Sequence, residues 1–235
     1  MSEQDKTRWE NRYATGTHGG RSRPSELLVS WAPRVLASQA RPQLELRAVD
    51  ELRAVNEPRA VNKPRAVNKP RAANKPRALD VACGTGRNAR YLAGLGFEVD
   101  AVDIAEAGLD RARSLAEASA LSVRWLQHDL DRGLPDEFCD YDLILLVRYV
   151  NLTLLENLCR RLNPGGWLIC EEHLRTRAEV IGPSNPAFRV APGAIAEAAA
   201  GLEILLAEES LTSDPDGRPV ALARLVARRP PEPDS

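Results

Sequence analysis

From residue 77 onward, short apolar runs alternate with segments whose apolar residues recur every three or four positions. That alternation predicts a strand–helix repeat. A first strand, opening at Arg77-Ala78-Leu79-Asp80, is followed by a helix at 87–94 and a strand at 97–102. A helix at 105–119 and a strand at 122–128 come next. Asp140 to Val147 reads as a fourth strand, apolar enough to be central and covered on both faces. A helix at 152–162 leads through the turn Asn163-Pro164-Gly165-Gly166 to a fifth strand, Trp167 to Glu171. A helix at 192–200 precedes two last strands, Leu202 to Glu208 and Pro219 to Val226, which the turn at Ser213–Gly217 makes an antiparallel hairpin. Upstream, Ser25 to Trp31 begins a helix that Pro33 is expected to kink. The pattern predicts an α/β fold: a doubly wound, mostly parallel, seven-stranded sheet closed by a C-terminal antiparallel hairpin.

Residues 47–78 break the pattern. Arg47-Ala48-Val49-Asp50-Glu51-Leu52 starts a repeat of period six that runs through three Arg-Ala-x-Asn-Lys-Pro units to Pro76. A proline every six residues prevents a helix and favours extended backbone before each ring. The period is too short for a helical solenoid and lacks the glycine or large apolar residues of a β-solenoid. The expectation is an extended or disordered insert of tandem origin that enters the amino-terminal end of the first strand. With eight basic and three acidic side chains between 47 and 76, it could attract RNA by charge alone, but no aromatic residue is there to stack a base. The organisation predicted is one domain, 1–235: an N-terminal lid and helix (1–38), the insert (47–76) and a ligand-binding core (77–229).

Net charge excludes little beyond bulk attraction to nucleic acid or membrane, since it is −1 overall. No apolar run approaches the length of a membrane span, and the amino terminus lacks a signal-peptide core. Cys83, Cys139, Cys159 and Cys170 form no Cys-x-x-Cys pair, and three lie in or beside apolar runs. The reading is a reduced, cytoplasmic protein, a monomer or weak homo-oligomer, with no membrane and no nucleic-acid partner.

The chemistry concentrates in Leu79-Asp80-Val81-Ala82-Cys83-Gly84-Thr85-Gly86-Arg87-Asn88-Ala89. A buried strand with an acid near its end turns on two glycines into a helix whose first N–H groups face outward. Asp103 follows Gly84 by nineteen residues, at the end of the second strand, where a carboxylate can accept both hydroxyls of a ribose. Asp129-Leu130 ends the third strand and can meet an adenine, the acid accepting from its amine and the Leu130 N–H donating to the ring. Gly84-x-Gly86-x-x-Ala89 also satisfies the dinucleotide pattern. Asp80 argues against that, because a carboxylate beside a pyrophosphate costs on the order of 1 kcal/mol even when screened. It suits instead a cofactor with a cationic amino-acid tail and no phosphate, such as S-adenosylmethionine. Taken singly, each acid would more commonly be a helix cap or turn residue, but three at successive strand ends, one before a glycine loop, are much harder to explain that way.

The run Leu79-Asp80-x-x-Cys83-Gly84-Thr85-Gly86 resembles motif I of the class I S-adenosylmethionine-dependent methyltransferases, a Rossmann-like fold. Asp103, Asp129 and Leu162-Asn163-Pro164-Gly165-Gly166-Trp167-Leu168 match that family's later landmarks. Gly86-Arg87-Asn88, Trp9-x-x-Arg12-Tyr13 and Asn185-Pro186-x-Phe188 are similar to its tellurite-resistance and thiopurine methyltransferase-like branch. The resemblance implies S-adenosylmethionine as cofactor, with Asp80, Ala82, Gly84, Thr85, Gly86, Asn88, Asp103, Ile104, Asp129, Leu130 and Val147 around it. It also implies that the segment from Trp9 to Gly20 closes over the cofactor, with Thr15, Gly16, Gly19 and Gly20 as its flexible part.

Methyl transfer requires alignment of a nucleophile behind the methyl carbon and exclusion of water, with a base only where the acceptor must lose a proton. Arg148-Tyr149-Val150-Asn151 and Glu171-Glu172-His173 follow the fourth and fifth strands and can face the methyl. His173 is the candidate base or, equally, a hydrogen-bonded structural imidazole; Tyr149 is a pocket wall; Arg189, like Arg148 and Arg175, is a candidate clamp for an anion. Adjacent Glu171, Glu172 and His173 do not converge on a metal ion. Four readings follow in order: a methyltransferase of a small-molecule acceptor, one of RNA or protein, a nicotinamide-dependent oxidoreductase, and a noncatalytic S-adenosylmethionine-binding module.

Overall fold

A computed structural model describes residues 3–15, 22–38, 75–214 and 216–232. Its elements are α1 (Glu3–Ala14), α2 (26–38), β1 (Arg77–Val81), α3 (Arg87–Gly94), β2 (Glu98–Asp103), α4 (Glu106–Glu117), β3 (Val123–Gln127), β4 (Tyr141–Val147), α5 (Leu152–Arg160), β5 (Leu162–His173), α6 (Ala194–Ala198), β6 (Glu203–Ser213) and β7 (Pro219–Arg228). The strands form one seven-stranded sheet in the order β3-β2-β1-β4-β5-β7-β6. β1 to β5 pair in parallel, and β7 runs antiparallel to both β5 and β6. The expected doubly wound sheet with a terminal hairpin is the fold observed.

Strand periodicity divides the core. On β4, Leu143, Leu145 and Val147 face one layer with Leu28 of α2, Leu92 of α3 and Leu109 of α4. Ile144 and Leu146 face the other, with Leu154, Leu155 and Leu158 of α5 and Ile195 of α6. A central strand buried on both faces reads as a continuous apolar run, as this one does. Each such leucine contributes about 1.5–3 kcal/mol through burial.

The largest departures from the expected boundaries fall in β5 and β6. β5 begins at Leu162, so the Asn163–Gly166 turn lies inside the strand as a bulge: Leu162 pairs with Tyr141, and Trp167 with Leu143. Gly165 has φ +77, and a Cβ on Gly166 would come 2.8 Å from the Tyr141 carbonyl oxygen, so the glycine pair serves close strand approach. β6 runs on to Ser213 because its outer half keeps pairing with β7. The helix at 26–38 continues through Pro33. The repeat insert and Gly16, Gly19 and Gly20 lie outside the described residues, apart from the insert's last two positions. Among the described residues no helix is long and apolar enough to cross a membrane.

The start of β1 is tightly held. The Arg77 backbone N–H donates to Asp142, and its guanidinium donates to the Cys139 carbonyl and to Asp100. Tyr141 donates its hydroxyl to the same Asp100 carboxylate. This network closes the amino-terminal edge of the sheet and leaves the carboxyl edge for chemistry.

Candidate functional site

At the carboxyl edge, β1 gives way to Ala82 (φ 55), Gly84 (φ 56) and Gly86 (φ 69) before α3 begins at Arg87. A non-glycine residue in the left-handed region, such as Ala82, marks stored strain. The loop is fixed by Cys83 N–H donating to the Val102 carbonyl, across to β2. Asp80, buried at 1% exposure, accepts from the Ala89 N–H at 2.9 Å. Burial pushes its pKa up to about 7, with Asp103 adding to the rise; the Ala89 hydrogen bond and Arg87 oppose it. Asp103 accepts from Gly84 N–H at 2.7 Å through one oxygen and from Ala105 N–H at 2.9 Å through the other. Its pKa too is raised, chiefly by burial. Asp129 accepts from Asp131 N–H at 3.1 Å and caps the short 3₁₀ turn Leu130–Arg132.

The three acids therefore stand at the ends of β1, β2 and β3, side by side in the sheet as their spacing predicted. Their first partners are nevertheless backbone amides, so the capping reading and the ligand reading hold together at each. A carboxylate has about four acceptor positions, so Asp103 retains capacity for a diol. The glycines divide their labour differently from the sequence expectation. A Cβ on Gly84 would lie 2.7 Å from the Tyr13 hydroxyl oxygen. A Cβ on Gly86 would strike the Trp125 ring at 2.4 Å, so packing of the loop on β3 by itself requires a glycine there.

Of the other expected cofactor residues, Ala82 and Thr85 are half-buried in the loop, while Ile104, Leu130 and Val147 are buried. Asn88 is buried and accepts from the Ser25 N–H, tying the entry of α2 to α3. Its observed work is scaffolding. Sequence reasoning missed Glu10. Its two carboxylate oxygens accept from the N–H groups of Glu106 (2.8 Å) and Ala107 (3.0 Å), capping α4 from a different element. Next to it, the Tyr13 ring lies against Gly84 and Gly108, stacked on Trp9, and its hydroxyl is held protonated by burial and by Asp103. α1 thus covers the glycine loop.

Beyond β4 the chain turns at Arg148, another non-glycine residue in the left-handed region (φ 65), whose N–H donates to the Glu171 carbonyl. Glu171, 5% exposed, receives Arg148 on one carboxylate oxygen (3.1 and 3.2 Å) and Arg224 Nε on the other (3.0 Å). Arg148 Nη1 also lies 2.8 Å from His173 Nε2 and 3.0 Å from Nδ1. The guanidinium can only donate, so one ring nitrogen accepts from it and the tautomer decides which. Glu172, on the opposite sheet face, accepts from Tyr149 N–H at 2.9 Å. Its other oxygen is buried without a hydrogen-bond partner among the described residues, and burial pushes its pKa up to about 8.

The structure brings His173, Tyr149 and Arg148 to one end of the sheet and gives Arg189 another task. Arg189 donates to the carbonyls of Pro183 (2.8 Å), Leu174 (3.1 Å) and Ile181 (3.3 Å), so it stitches the loop after β5 where an anion clamp was expected. Tyr149 donates to Asp131 at 3.1 Å, and burial raises its phenol to about 12, which suits a wall and not a base. Among the described residues no cluster of His, Cys, Asp and Glu has metal-holding geometry.

Residues 78–166 match the protein family described as "Methyltransferase domain". The ubiquinone biosynthesis O-methyltransferase of Rickettsia felis is 29% identical over 110 residues, 44% of this chain and 44% of that protein. This chain therefore spans less than half the length of that curated relative. Among solved structures, TehB from Haemophilus influenzae superposes with a TM-score of 0.57 at 23% identity, over 67% of this chain and 58% of that one. Magnesium protoporphyrin IX methyltransferase from Synechocystis, solved with bound SAH, gives 0.52 at 18% identity over 66% and 74%. The fold is that of the Rossmann-like S-adenosylmethionine-dependent methyltransferases. The matched block contains β1 to β4, the glycine loop and all three edge acids.

Proposed function

We propose that this protein is an S-adenosylmethionine-dependent methyltransferase that methylates a small-molecule acceptor by in-line displacement. The observation that carries the reading is the row of Asp80, Asp103 and Asp129 along the ends of β1, β2 and β3 around the positive-φ glycine loop, inside the methyltransferase-like block. When bound, the cofactor supplies a sulfonium methyl group that a nucleophile's lone pair captures as the carbon–sulfur bond breaks. The chain aligns and desolvates. Asp103 takes the ribose diol, Asp129 with Leu130 the adenine, and Asp80 the cationic amino-acid tail, with Ala82, Gly84, Thr85, Ile104 and Val147 as walls. His173 is the base for an acceptor that must lose a proton, acting once Arg148 releases the ring nitrogen it engages; Tyr149 is a wall.

The Trp9-x-x-Arg12-Tyr13 segment over Gly84 supports placing the chain near the tellurite-resistance and thiopurine branch. The likeness to the ubiquinone biosynthesis O-methyltransferase of Rickettsia felis supports an organic acceptor. A cytoplasmic monomer or weak homo-oligomer, organised as one domain and without a nucleic-acid partner, completes the proposal. The antiparallel β7 disfavours a nicotinamide enzyme.

Asp103→Ala should weaken S-adenosylmethionine binding at least tenfold, since each charged hydrogen bond contributes roughly 1.5–3 kcal/mol, while far-ultraviolet circular dichroism stays unchanged. Calorimetry with S-adenosylmethionine and NAD is the check. Unaltered affinity in the variant, or tighter NAD binding by wild type, would overturn the assignment.

A further inference from the structure

A cavity of about 860 Å³ opens on the α2 face of the sheet, between the entry of α2, the first residue of α3 and the β6–β7 turn. Its floor is the cluster already described, in which Arg148 and Arg224 share the Glu171 carboxylate. We propose that this cavity is the acceptor pocket and that its acceptor is a small organic anion, its carboxylate or equivalent planar oxyanion held by Arg224. The inference rests on the methyl-transfer reading and specifies the substrate class.

Position supports it first. Arg148 directly follows β4 and Glu171 lies near the end of β5, while Arg87, another wall, directly follows Gly86 of the glycine loop. The cavity thus adjoins the cofactor bed, on the sheet face opposite Tyr149 and Glu172.

Charge supports it next. Four arginines and four acids line the space, but they are segregated. At the outer turn Asp214 and Asp216 are both paired with Arg218, and Glu26 stands on the exposed start of α2. At the floor the Glu171 carboxylate is divided between two guanidinium groups, both under a fifth exposed, so Arg224 has only a shared counter-charge and little water to screen it. An anion there offsets that cost.

Geometry selects the residue. Arg148 uses Nε, Nη1 and Nη2 on Glu171 and His173. Arg224 is fixed through Nε alone, and among the described residues neither Nη makes a hydrogen bond. A guanidinium pinned at Nε presents its two Nη groups as a ready fork, the arrangement that receives a carboxylate in bidentate fashion. Val29, Val220 and Leu222 supply apolar wall for the hydrocarbon part, and Ser25, whose buried hydroxyl has no partner among the described residues, lines the same space.

The test titrates benzoate and its uncharged isostere benzamide into the full chain saturated with S-adenosylhomocysteine. Benzoate should bind at least tenfold more tightly than benzamide, and Arg224→Gln should erase that preference. Val29→Glu, at an exposed position, should also weaken benzoate at least tenfold while the melting temperature and the S-adenosylhomocysteine affinity hold; it decides the matter where the arginine variant fails to fold. Equal binding of the two compounds, no response to Val29→Glu, or mutual exclusion of benzoate and S-adenosylhomocysteine overturns the proposal. Failure of wild type to bind S-adenosylhomocysteine at all would overturn the methyl-transfer reading beneath it, an outcome separable from loss of benzoate selectivity alone.

Discussion

Asp80 near the end of β1 and Glu172 near the end of β5, on either side of β4, are enclosed carboxylic acids, and burial raises them to about 7 and about 8. Unfolded, both would titrate near pH 4. Between those limits the native state binds more protons than the unfolded chain, so stability falls as pH rises. The contribution is fully present below about pH 4 and is lost by the time pH passes the folded values. The melting temperature of the cofactor-free protein should therefore drop between pH 5 and 8. Glu172→Gln should flatten that slope, because a neutral amide keeps an oxygen for the Tyr149 N–H without ionising. Differential scanning calorimetry at several pH values is the measurement, and a wild-type melting temperature that rises across the window would refute the argument. Sequence could place these acids at strand ends but could not separate Glu171 from Glu172. Adjacent residues point to opposite faces, and only the fold shows that one face offers two arginines and the other a single amide.

At the level of elements, the core was legible because each one has a single strong period. α3 lies where predicted, and β4 differs by one residue. What sequence did not reveal were contacts made by elements that are far apart along the chain. Glu10 reaches α4 across ninety-six positions, and Arg224 reaches Glu171 across fifty-three; no local pattern announces either. The same holds for the bulge in β5, where a proline and two glycines signal a turn and the strand resumes its pairing instead. α4 shows the consequence most clearly. Its N-cap is Ala105, which offers no side-chain acceptor, so the first amides depend on Glu10. Glu10→Ala should cost about 0.5–2 kcal/mol, as loss of a cap does, and should release α1 as well. Hydrogen exchange at Glu106 and Ala107 should accelerate while α6 stays protected. Unchanged exchange at those two amides would show that the cap contributes nothing.

For the whole molecule, the question is how a sheet of this kind tolerates thirty-eight residues between the end of α2 at 38 and Arg77, most of them hexapeptide repeat. The structure locates the answer at the junction. Arg77 is tied to Asp142, Cys139 and Asp100, its guanidinium lies 4.6 Å from the Tyr141 ring centroid, and Ala78 to Val81 are then buried. β1 is thus held in register from its first residue, at the sheet edge opposite the glycine loop. The pairs that set its register with β2 and β4 begin at Arg77 and Ala78, and just before them the Pro76 carbonyl accepts from the Glu98 N–H. Deleting residues 53–76 removes twenty-four positions and joins Leu52 to Arg77. If the removed stretch contributes only chain length, the shorter connection should raise stability by about 1 kcal/mol, because closure entropy grows only logarithmically with length. The deletion variant should fold, melt at or slightly above the wild-type temperature, and bind S-adenosylmethionine with unchanged affinity. A fall of several degrees would mean that the repeats pack against the sheet. Weaker cofactor binding at an unchanged melting temperature would mean that they reach the carboxyl edge, and the two results together distinguish a tolerated insertion from one the fold has come to use.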